Sequence, residues 1–448
     1  MVDIPANTTT TAWFDGAPGG WGSFSGSLET PGDKDWIKVY LDQTKTYQFW
    51  LHFQEAGADP TTGDSFLRIY DANGNFVVGN DDRSQSSLNS FIEFQPSSAG
   101  TYYIEVAASG DNKAGQYSVA YKFKNDGETF VDLSNLPDTY SGQAGEVIAG
   151  GKSNDSITVA DGAGTLLGEQ GDDTLIGRDG IQQDYLFGGL GDDHLHGLSG
   201  TDYLFGDAGN DTIYGGSGSD GILGGPGADE LYGGAGNDLF YLQGSNGIGD
   251  VINGGADDDT VLNWGNSPLT LSTFNAAASS IETFDGDGYG LFGTSAANTF
   301  NFAALVKKLE LPFIDGKGGN DKITGSDFAD VLRGGAGKDT LTGGAGRDFF
   351  DFNKISESKV GAKRDVITDF KRGQDHIDLK DIDAKKGVGG NNKFKFIGKD
   401  DFGETKGELR YEDKGSTVIV QGDVNGDGKA DFEIMVKAGA LSAGDFVL

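Results

Sequence analysis

The chain has 448 residues, with 69 acidic against 34 basic residues, a formal net charge of −35 and no cysteine. Such an acidic excess argues against nucleic acid or an anionic membrane as a partner. The lack of cysteine excludes disulfides and thiolate zinc sites. The sequence has no apolar run near the ~18 residues that span a membrane, and its N-terminus shows no Sec signal.

Residues 1–125 alternate apolar and polar side chains over short segments, for example 35–41, 47–53 and 101–106. Gly, Asn and Asp turns separate these segments. Many short strands at this spacing predict an antiparallel β-sandwich.

The phrases GDKDWIKVYL, LRIYDANGN, GNDD and SAGTYYIEV resemble the bacterial pre-peptidase C-terminal domain, a jelly-roll module of secreted peptidases. The resemblance implies calcium or substrate binding. The acidic loop positions that can hold an ion are Asp33, Asp35, Asp71, Asn73, Asp81 and Asp82. The alternative is that DANG is a plain hairpin turn. Trp13, Trp21, Trp36 and Trp50 are candidates either for a polysaccharide-stacking surface or for the core.

Residues 126–262 repeat the nine-residue phrase G-G-x-G-x-D-x-U-x, in which U is a large apolar residue. Four copies run back to back over 206–241: GDAGNDTIY, GGSGSDGIL, GGPGADELY and GGAGNDLFY. Glycine permits sharp turns that aim carbonyls inward, and the aspartate adds a carboxylate, which gives the oxygen shell that Ca²⁺ prefers. The phrase predicts a calcium-binding parallel β-roll rather than a flexible linker.

Two nonapeptides make one turn of the roll, so aspartates 18 residues apart are predicted to stack in a ladder. One ladder consists of Asp184, Asp202, Asp220 and Asp238, and the other of Asp155, Asp173, Asp193, Asp211 and Asp229. The predicted carbonyl ligands are Gly206, Gly209, Gly215, Gly218, Gly224, Gly227, Gly233 and Gly236. The predicted core column is Ile157, Leu175, Leu186, Leu195, Leu204, Ile213, Ile222, Leu231 and Phe240.

A second, shorter roll is predicted over 316–351, with calcium ligands Asp321, Asp330, Asp339 and Asp348. Between the rolls, 263–315 is predicted to be a degenerate β-solenoid with fewer ions. The phrases GGADDDTVL (254–262) and GTSAANTFN (293–301) keep the repeat length but are expected to lose key ligands. In this all-β chain, FAALVKKLEL (302–311) is the best candidate for a short helix.

Residues 352–448, with FDFNKISESKVGAKRDVITDFKRGQDHIDLKDID, STVIVQGDVNGDGKADFEIMV and ALSAGDFVL, resemble the serralysin-type C-terminal domain. With the nonapeptides, the chain resembles RTX (repeats-in-toxin) proteins. The final residues Asp445, Phe446, Val447 and Leu448 then imply a type I secretion signal of a Gram-negative bacterium. The resemblance implies export unfolded and folding in extracellular calcium.

The segment 423–431 looks like the first nine positions of an EF-hand loop. Position twelve is Ile434 instead of the bidentate glutamate, and no flanking helices are predicted. Two alternatives stay open: a plain hairpin turn or a weak calcium site.

The sequence leans away from catalysis. The four histidines, His52, His194, His196 and His376, form no H-E-x-x-H, and G-x-S-x-G is absent. His194 and His196 are expected to point to solvent. Three hypotheses remain: a secreted, non-catalytic calcium-binding protein whose sandwich contacts an extracellular polysaccharide or protein, an accessory relative of a serralysin-like protease, or a cryptic carboxylate-based hydrolase.

Overall fold

Strands follow one another along the chain, because apolar and polar side chains alternate over short stretches bounded by Gly, Asn and Asp. The computed structural model describes residues 21–28, 34–55, 65–80, 90–108, 115–123, 129–133, 138–143, 145–159, 164–265 and 267–448. The chain divides into two compact units, residues 1–267 and 268–448, and each is treated by itself.

The N-terminal β-sandwich has eight strands in its described part. They are β1 (Trp21–Leu28), β2 (Lys34–Leu41), β3 (Tyr47–Glu55), β4 (Ser65–Asp71), β5 (Phe76–Asn80), β6 (Ser90–Phe94), β7 (Gly100–Ala108) and β8 (Gly115–Phe123). One sheet has the order β1-β8-β3-β6 and the other β2-β7-β4-β5, with antiparallel neighbours. Ile37, Phe49 and Ile104 belong to the core of this sandwich and are fully buried.

The first roll follows in the same unit. Its described strands are β9 (Thr129–Asp132), β10 (Thr139–Gly142), β11 (Glu146–Gly151), β12 (Ser156–Val159), β13 (Thr165–Gln170), β14 (Thr174–Ile176), β15 (Tyr185–Leu190), β16 (His194–Ser199), β17 (Tyr203–Ala208), β18 (Thr212–Ser217), β19 (Gly221–Leu223), β20 (Glu230–Ala235), β21 (Leu239–Leu242), β22 (Val251–Ala256) and β23 (Thr260–Asn263). Even-numbered strands from β10 to β22 form one parallel sheet, and odd-numbered strands from β9 to β23 form the other.

The parallel register places equivalent repeat positions side by side. Leu186 lies next to Leu204, and Ile222 lies next to Phe240. Every residue of the predicted core column, from Ile157 to Phe240, has a relative exposure of 0%. The predicted roll and its core are therefore confirmed.

The sandwich packs on an outer face of the first roll through aromatic side chains. Trp50 is 1% exposed, its ring lies 5.4 Å from that of Phe91, and it belongs to one buried cluster with Phe187 and Phe205. Trp36 is also buried. The core alternative is therefore right for these two tryptophans, while Trp13 and the side chain of Trp21 lie outside the described part.

The C-terminal unit contains a second stack of parallel strands. Its strands are β24 (Leu269–Thr270), β25 (Thr273–Asn275), β26 (Thr283–Asp285), β27 (Leu291–Phe292), β28 (Thr299–Asn301), β29 (Lys307–Leu309), β30 (Ile314–Asp315), β31 (Gly318–Gly319), β32 (Lys322–Thr324), β33 (Val331–Arg333), β34 (Ala336–Gly337), β35 (Thr340–Thr342), β36 (Phe349–Asp351), β37 (Asp365–Ile367), β38 (His376–Asp378), β39 (Lys395–Gly398), β40 (Glu408–Asp413), β41 (Val418–Asp423), β42 (Phe432–Val436) and β43 (Phe446–Val447).

Two sheets dominate the C-terminal unit. One has the order β24-β27-β30-β33-β36-β38-β43 and is parallel throughout. The other runs β25-β28-β32-β35-β37-β42 in parallel and continues into the antiparallel neighbours β41 and β40. Small parallel pairs, β26 with β29 and β31 with β34, complete the unit.

Helix is scarce in the described residues, as an all-β chain requires. The α-helix is α1 (Ala276–Ser279), and the 3-10 turns are Gly361–Lys363 and Ala443–Asp445. The predicted helix over 302–311 is wrong. The segment forms a turn followed by β29, whose parallel pairing with β26 overrides the helix propensity of its residues.

Candidate metal sites

The position-six aspartates of the first roll interlock through one carboxylate oxygen. In each ladder the backbone N–H of one aspartate donates to Oδ1 of the aspartate in the next turn: 2.8 Å from Asp193 to Asp211 and 2.9 Å from Asp211 to Asp229. The other ladder repeats this contact at 2.8 Å from Asp202 to Asp220. The structure therefore brings the predicted aspartates together as two continuous ladders.

The second oxygen of most ladder aspartates is buried and has no hydrogen-bond partner. This applies to Oδ2 of Asp155, Asp173, Asp193, Asp202, Asp211, Asp220, Asp229, Asp238, Asp321, Asp339 and Asp348. A buried carboxylate oxygen without a partner is costly, unless a cation approaches it.

The glycines leave room around that oxygen. A Cβ added to Gly206 would overlap Asp211 Oδ2 and lie 2.6 Å from the carbonyl oxygen of Gly224, one turn further on. Gly215, Gly224 and Gly233 lie in the same way against their own aspartates, while Gly209 and Gly218 pack on the carbonyls of Gly191 and Gly200. Carboxylate and carbonyl oxygens thus surround a space that no side chain fills, which fits a hard cation such as Ca²⁺.

The conformation of repeat position two decides whether Oδ2 stays without a partner. In an open turn this residue has a positive φ, as Gly216 (φ 116°) and Gly225 (φ 109°) have. Glu169, Leu198, Asp207 and Lys317 adopt the same left-handed conformation at φ 66–80° without being glycine. The aspartates of these turns, among them Asp173, Asp202, Asp211 and Asp321, have the unpartnered oxygen.

In a closed turn, position two lacks the positive φ and its N–H donates to the side chain at position six. The N–H of Arg178 donates to Asp184 Oδ2 at 2.8 Å, and that of Ser326 donates to Asp330 Oδ2 at 2.8 Å. Thr294 donates in the same way to Asn298 Oδ1 at 3.0 Å. Of the predicted ligands, Asp184 and Asp330 therefore differ from all the others.

Burial raises the pKa of the open-turn carboxyls. It raises the pKa of Asp173, Asp202 and Asp211 to about 8 and that of Asp229 to about 7, with the neighbouring carboxylates adding to the shift. The ladders therefore resist ionisation at neutral pH in the absence of a positive charge.

A second ladder, which the sequence analysis missed, runs along repeat position five. The N–H of Asp192 donates to Asp172 Oδ1 at 3.0 Å, that of Asn210 to Asp192 Oδ1 at 2.7 Å, and that of Ala228 to Asn210 Oδ1 at 3.0 Å. These bonds run opposite in direction to those of the inner ladder. The signal was the Asn or Asp that precedes many position-six aspartates.

The inner ladders also extend beyond the predicted residues. Asp250 and Asp259 accept from Asp229 and Asp238 at 3.0 and 2.9 Å, across spacings of 21 residues. The expectation that 254–262 loses its key ligands is therefore wrong for Asp259. In the C-terminal unit, Asp365 accepts from Asp339 at 2.7 Å, and its Oδ2 is also unpartnered.

Each missed aspartate precedes a strand of the form Asp-x-apolar, such as Asp365-Val-Ile367. This pattern was the available signal, but irregular insertions hide it from a search at a spacing of 18. Among the described residues no group of three or more His, Cys, Asp or Glu side chains converges on a metal position. A cation in the rolls would therefore take much of its shell from backbone carbonyls.

The other candidate ion sites look different. Asp71 accepts from Asn73 N and Asn75 N at 2.9 Å each, which supports the turn alternative for that hairpin. Asp35 is buried, whereas Asp33, Asp81 and Asp82 lie outside the described residues. In the EF-hand-like segment, Asp423 accepts from the N–H groups of Gly426 and Gly428 at 2.6 and 2.9 Å. Backbone donors thus take the oxygens that an ion would need.

The histidine pair is only partly as expected. His194 is exposed, but His196 is half-buried and its ring stacks on that of Tyr214 at 4.9 Å. Tyr214 stacks in turn on Tyr232 at 4.9 Å. Equivalent positions of adjacent parallel strands thus form a short aromatic ladder on the outer face.

Three family models match parts of the chain. The bacterial pre-peptidase C-terminal domain matches residues 33–108, and the peptidase M10 serralysin C-terminal model matches 306–448. The RTX calcium-binding nonapeptide repeat matches 140–175, 158–180, 182–213, 214–248 and 249–264. The chain therefore carries the three parts that the sequence predicted, and its nonapeptides are repeats of a calcium-binding type.

Solved structures also resemble parts of the chain. The AlgE6R2 subunit of the mannuronan C5-epimerase from Azotobacter vinelandii is 24% identical, over 36% of this chain and 94% of that one, with a TM-score of 0.27. The pre-peptidase C-terminal domain of collagenase from Bacillus anthracis is 13% identical, over 25% and 95%, with a TM-score of 0.19. The search of curated proteins found no match. None of the helices among the described residues is long and apolar enough to cross a membrane.

Proposed function

We propose that this chain is an extracellular, non-catalytic calcium-binding protein whose rolls fold as several calcium ions bind between their turns. The observation that carries the proposal is the row of buried, unpartnered Oδ2 atoms in the open turns. A calcium ion at each would neutralise carboxylates that burial otherwise keeps from ionising.

The proposed ligands follow from the geometry of the open turns. They are Oδ2 of the position-six aspartates and carbonyl oxygens of glycines at positions one and four, including Gly206 and Gly209. Asp365 joins the predicted set. Calcium supplies positive charge and directional oxygen coordination there, while the Oδ1 bonds hold the carboxylates in place.

We further propose five functional regions: the sandwich (1–125), the first roll (126–262), a connector (263–315), the second roll (316–351) and the serralysin-type domain (352–448). The final segment supports a secretion role before folding. Asp445 is 1% exposed, and Phe446 is buried in β43 beside β38. A type I export machinery would therefore read these residues in the unfolded chain.

The sandwich is the proposed contact for an extracellular polysaccharide or protein. Its β2-β7-β4-β5 sheet presents Tyr40 and Phe76 to solvent, at exposures of 57% and 59%. A second candidate, favoured by the match over 306–448, is an accessory role beside a serralysin-like protease. Hydrolysis of casein by the purified chain would contradict a non-catalytic role.

The test is a calcium titration of the full chain, started in chelator and followed by far-UV circular dichroism. We expect β-structure to appear at roughly 0.1–1 mM calcium, as in other extracellular calcium modules. Magnesium serves as the control and should induce less, because it prefers a smaller octahedral shell and keeps its waters. A spectrum that is fully folded in chelator would overturn the proposal.

A further inference from the structure

Lys308 meets the first aspartate of one ladder in the second roll. Its Nζ contacts Asp330 Oδ1 and donates to the carbonyl oxygen of Ala329 at 2.6 Å. The Lys308 side chain is 8% exposed and that of Asp330 is 1% exposed. A buried ammonium therefore stands beside a carboxylate that the repeat pattern marks as a calcium ligand.

The contacts of Asp330 differ from those of the next aspartate in its ladder. Asp348 receives the Asp330 N–H on Oδ1 at 3.0 Å, and its Oδ2 has no partner. At Asp330, Lys308 lies at Oδ1, and Oδ2 accepts from the N–H and hydroxyl of Ser326 at 2.8 and 3.0 Å. Both oxygens of Asp330 are thus engaged by protein donors.

These donors oppose a bound ion. The hydrogens of Ser326 point at Oδ2, so they present positive partial charge where a cation would have to approach. The ammonium of Lys308 adds a full positive charge on the other oxygen and already neutralises the carboxylate. Calcium at this carboxylate would have to displace three donors and face a like charge.

We propose that Lys308 replaces calcium at the Asp330 turn, so that this turn binds no calcium of its own and is neutral without it. The inference rests on the proposed calcium binding by the open turns, and it assigns a different role to one residue that the repeat pattern includes. Asn298 gives a parallel in the same unit: a neutral side chain occupies position six of another closed turn.

The test counts the calcium bound per full-length chain by equilibrium dialysis with metal analysis. The variant is Lys308→Met with Asp330→Asn, which removes both charges together and leaves neither stranded. The matched control is Asp348→Asn, in the next turn of the same ladder. We expect the double variant to bind as many ions as the wild type, and the control to bind at least one fewer.

The outcomes separate the two proposals. If Asp348→Asn loses no calcium, the proposed binding by open turns fails. If it loses calcium and the double variant loses as much, the assignment of Lys308 is overturned while open-turn binding stands.

A gain-of-site variant tests the same inference from the other side. Ser326→Gly with Lys308→Met removes the hydroxyl and the ammonium and permits the positive φ of an open turn at position two. We expect one additional bound ion relative to the wild type. An unchanged count in a folded variant would contradict the claim that these two residues exclude calcium.

Discussion

The sandwich and the first roll both bury carboxylates, but they compensate the charge in different ways. In the sandwich, Glu105 is 2% exposed and accepts from the Tyr70 hydroxyl at 2.6 Å, with Lys34 Nζ at 3.1 Å. In the roll, Asp211 is 1% exposed, and its Oδ2 has no partner within the chain.

This difference separates two ways of building a β structure. The sandwich carries its own counter-charges, so its sequence alone can stabilise it. The roll repeats the same acidic residue along each edge without a matching base, so its folding is coupled to a cation from solution. The net charge of −35 is the large-scale form of the same design.

The largest expected effect is an opposite response of the two regions to pH. In calcium-stripped protein, burial raises the pKa of Asp211 and Asp202 to about 8, above an unfolded value near 3.9. The folded roll then binds more protons than the unfolded chain, so its stability falls as pH rises from about 4 to 8. We expect the midpoint of urea unfolding for the roll to be higher at pH 5 than at pH 8.

The sandwich supplies the internal control. Hydrogen bonds from Thr44 and Asn75 lower the pKa of Asp42 and Asp71, so their contribution is present above the unfolded pKa and is lost as pH falls through the folded value. Acidification below about pH 4 should therefore weaken the sandwich. A calcium-stripped roll that is more stable at pH 8 than at pH 5 would contradict the burial argument.

A smaller effect should distinguish the inner ladder from the outer one. Asp211→Ala leaves the N–H of Asp193 without its acceptor, at a cost of about 1–3 kcal/mol in calcium-stripped protein, and calcium should widen the loss. Asn210→Ala removes an exposed acceptor of the Ala228 N–H, at about 0.5–1.5 kcal/mol.

Urea unfolding of both variants, with and without calcium, measures the contrast. Only the loss caused by Asp211→Ala should grow when calcium is added, because Asn210 lies outside the inner ladder. Equal growth for both variants would mean that the ions are not bound at the inner carboxylates.

The regular part of this architecture was predictable from sequence, and its irregular part was not. A fixed spacing of 18 residues identified Asp211 and its neighbours, because each turn adds the same number of residues. Asp250 and Asp365 were missed, because insertions change the spacing while parallel pairing still returns them to the same edge.

The conformation of position two was also beyond sequence reasoning. Leu198 and Ser326 are both ordinary L-residues, yet Leu198 has φ 73° in an open turn and Ser326 belongs to a closed one. Left-handed backbone costs an L-residue about 1–2 kcal/mol, which packing against neighbouring turns can outweigh. Composition alone therefore does not tell which repeat is open.

The smallest expected effect comes from the sandwich and should be blind to calcium. Glu105→Gln keeps the size of the side chain and an acceptor for the Tyr70 hydroxyl, but it removes the charge that pairs with Lys34. Lys34 is 36% exposed, so water can solvate it after the change, and we expect a loss of only about 1 kcal/mol. Urea unfolding should give the same loss in calcium and in chelator. A loss that appeared only with calcium would mean that the sandwich shares the ion dependence of the roll, and the two regions would then have to be treated as one calcium-folded structure.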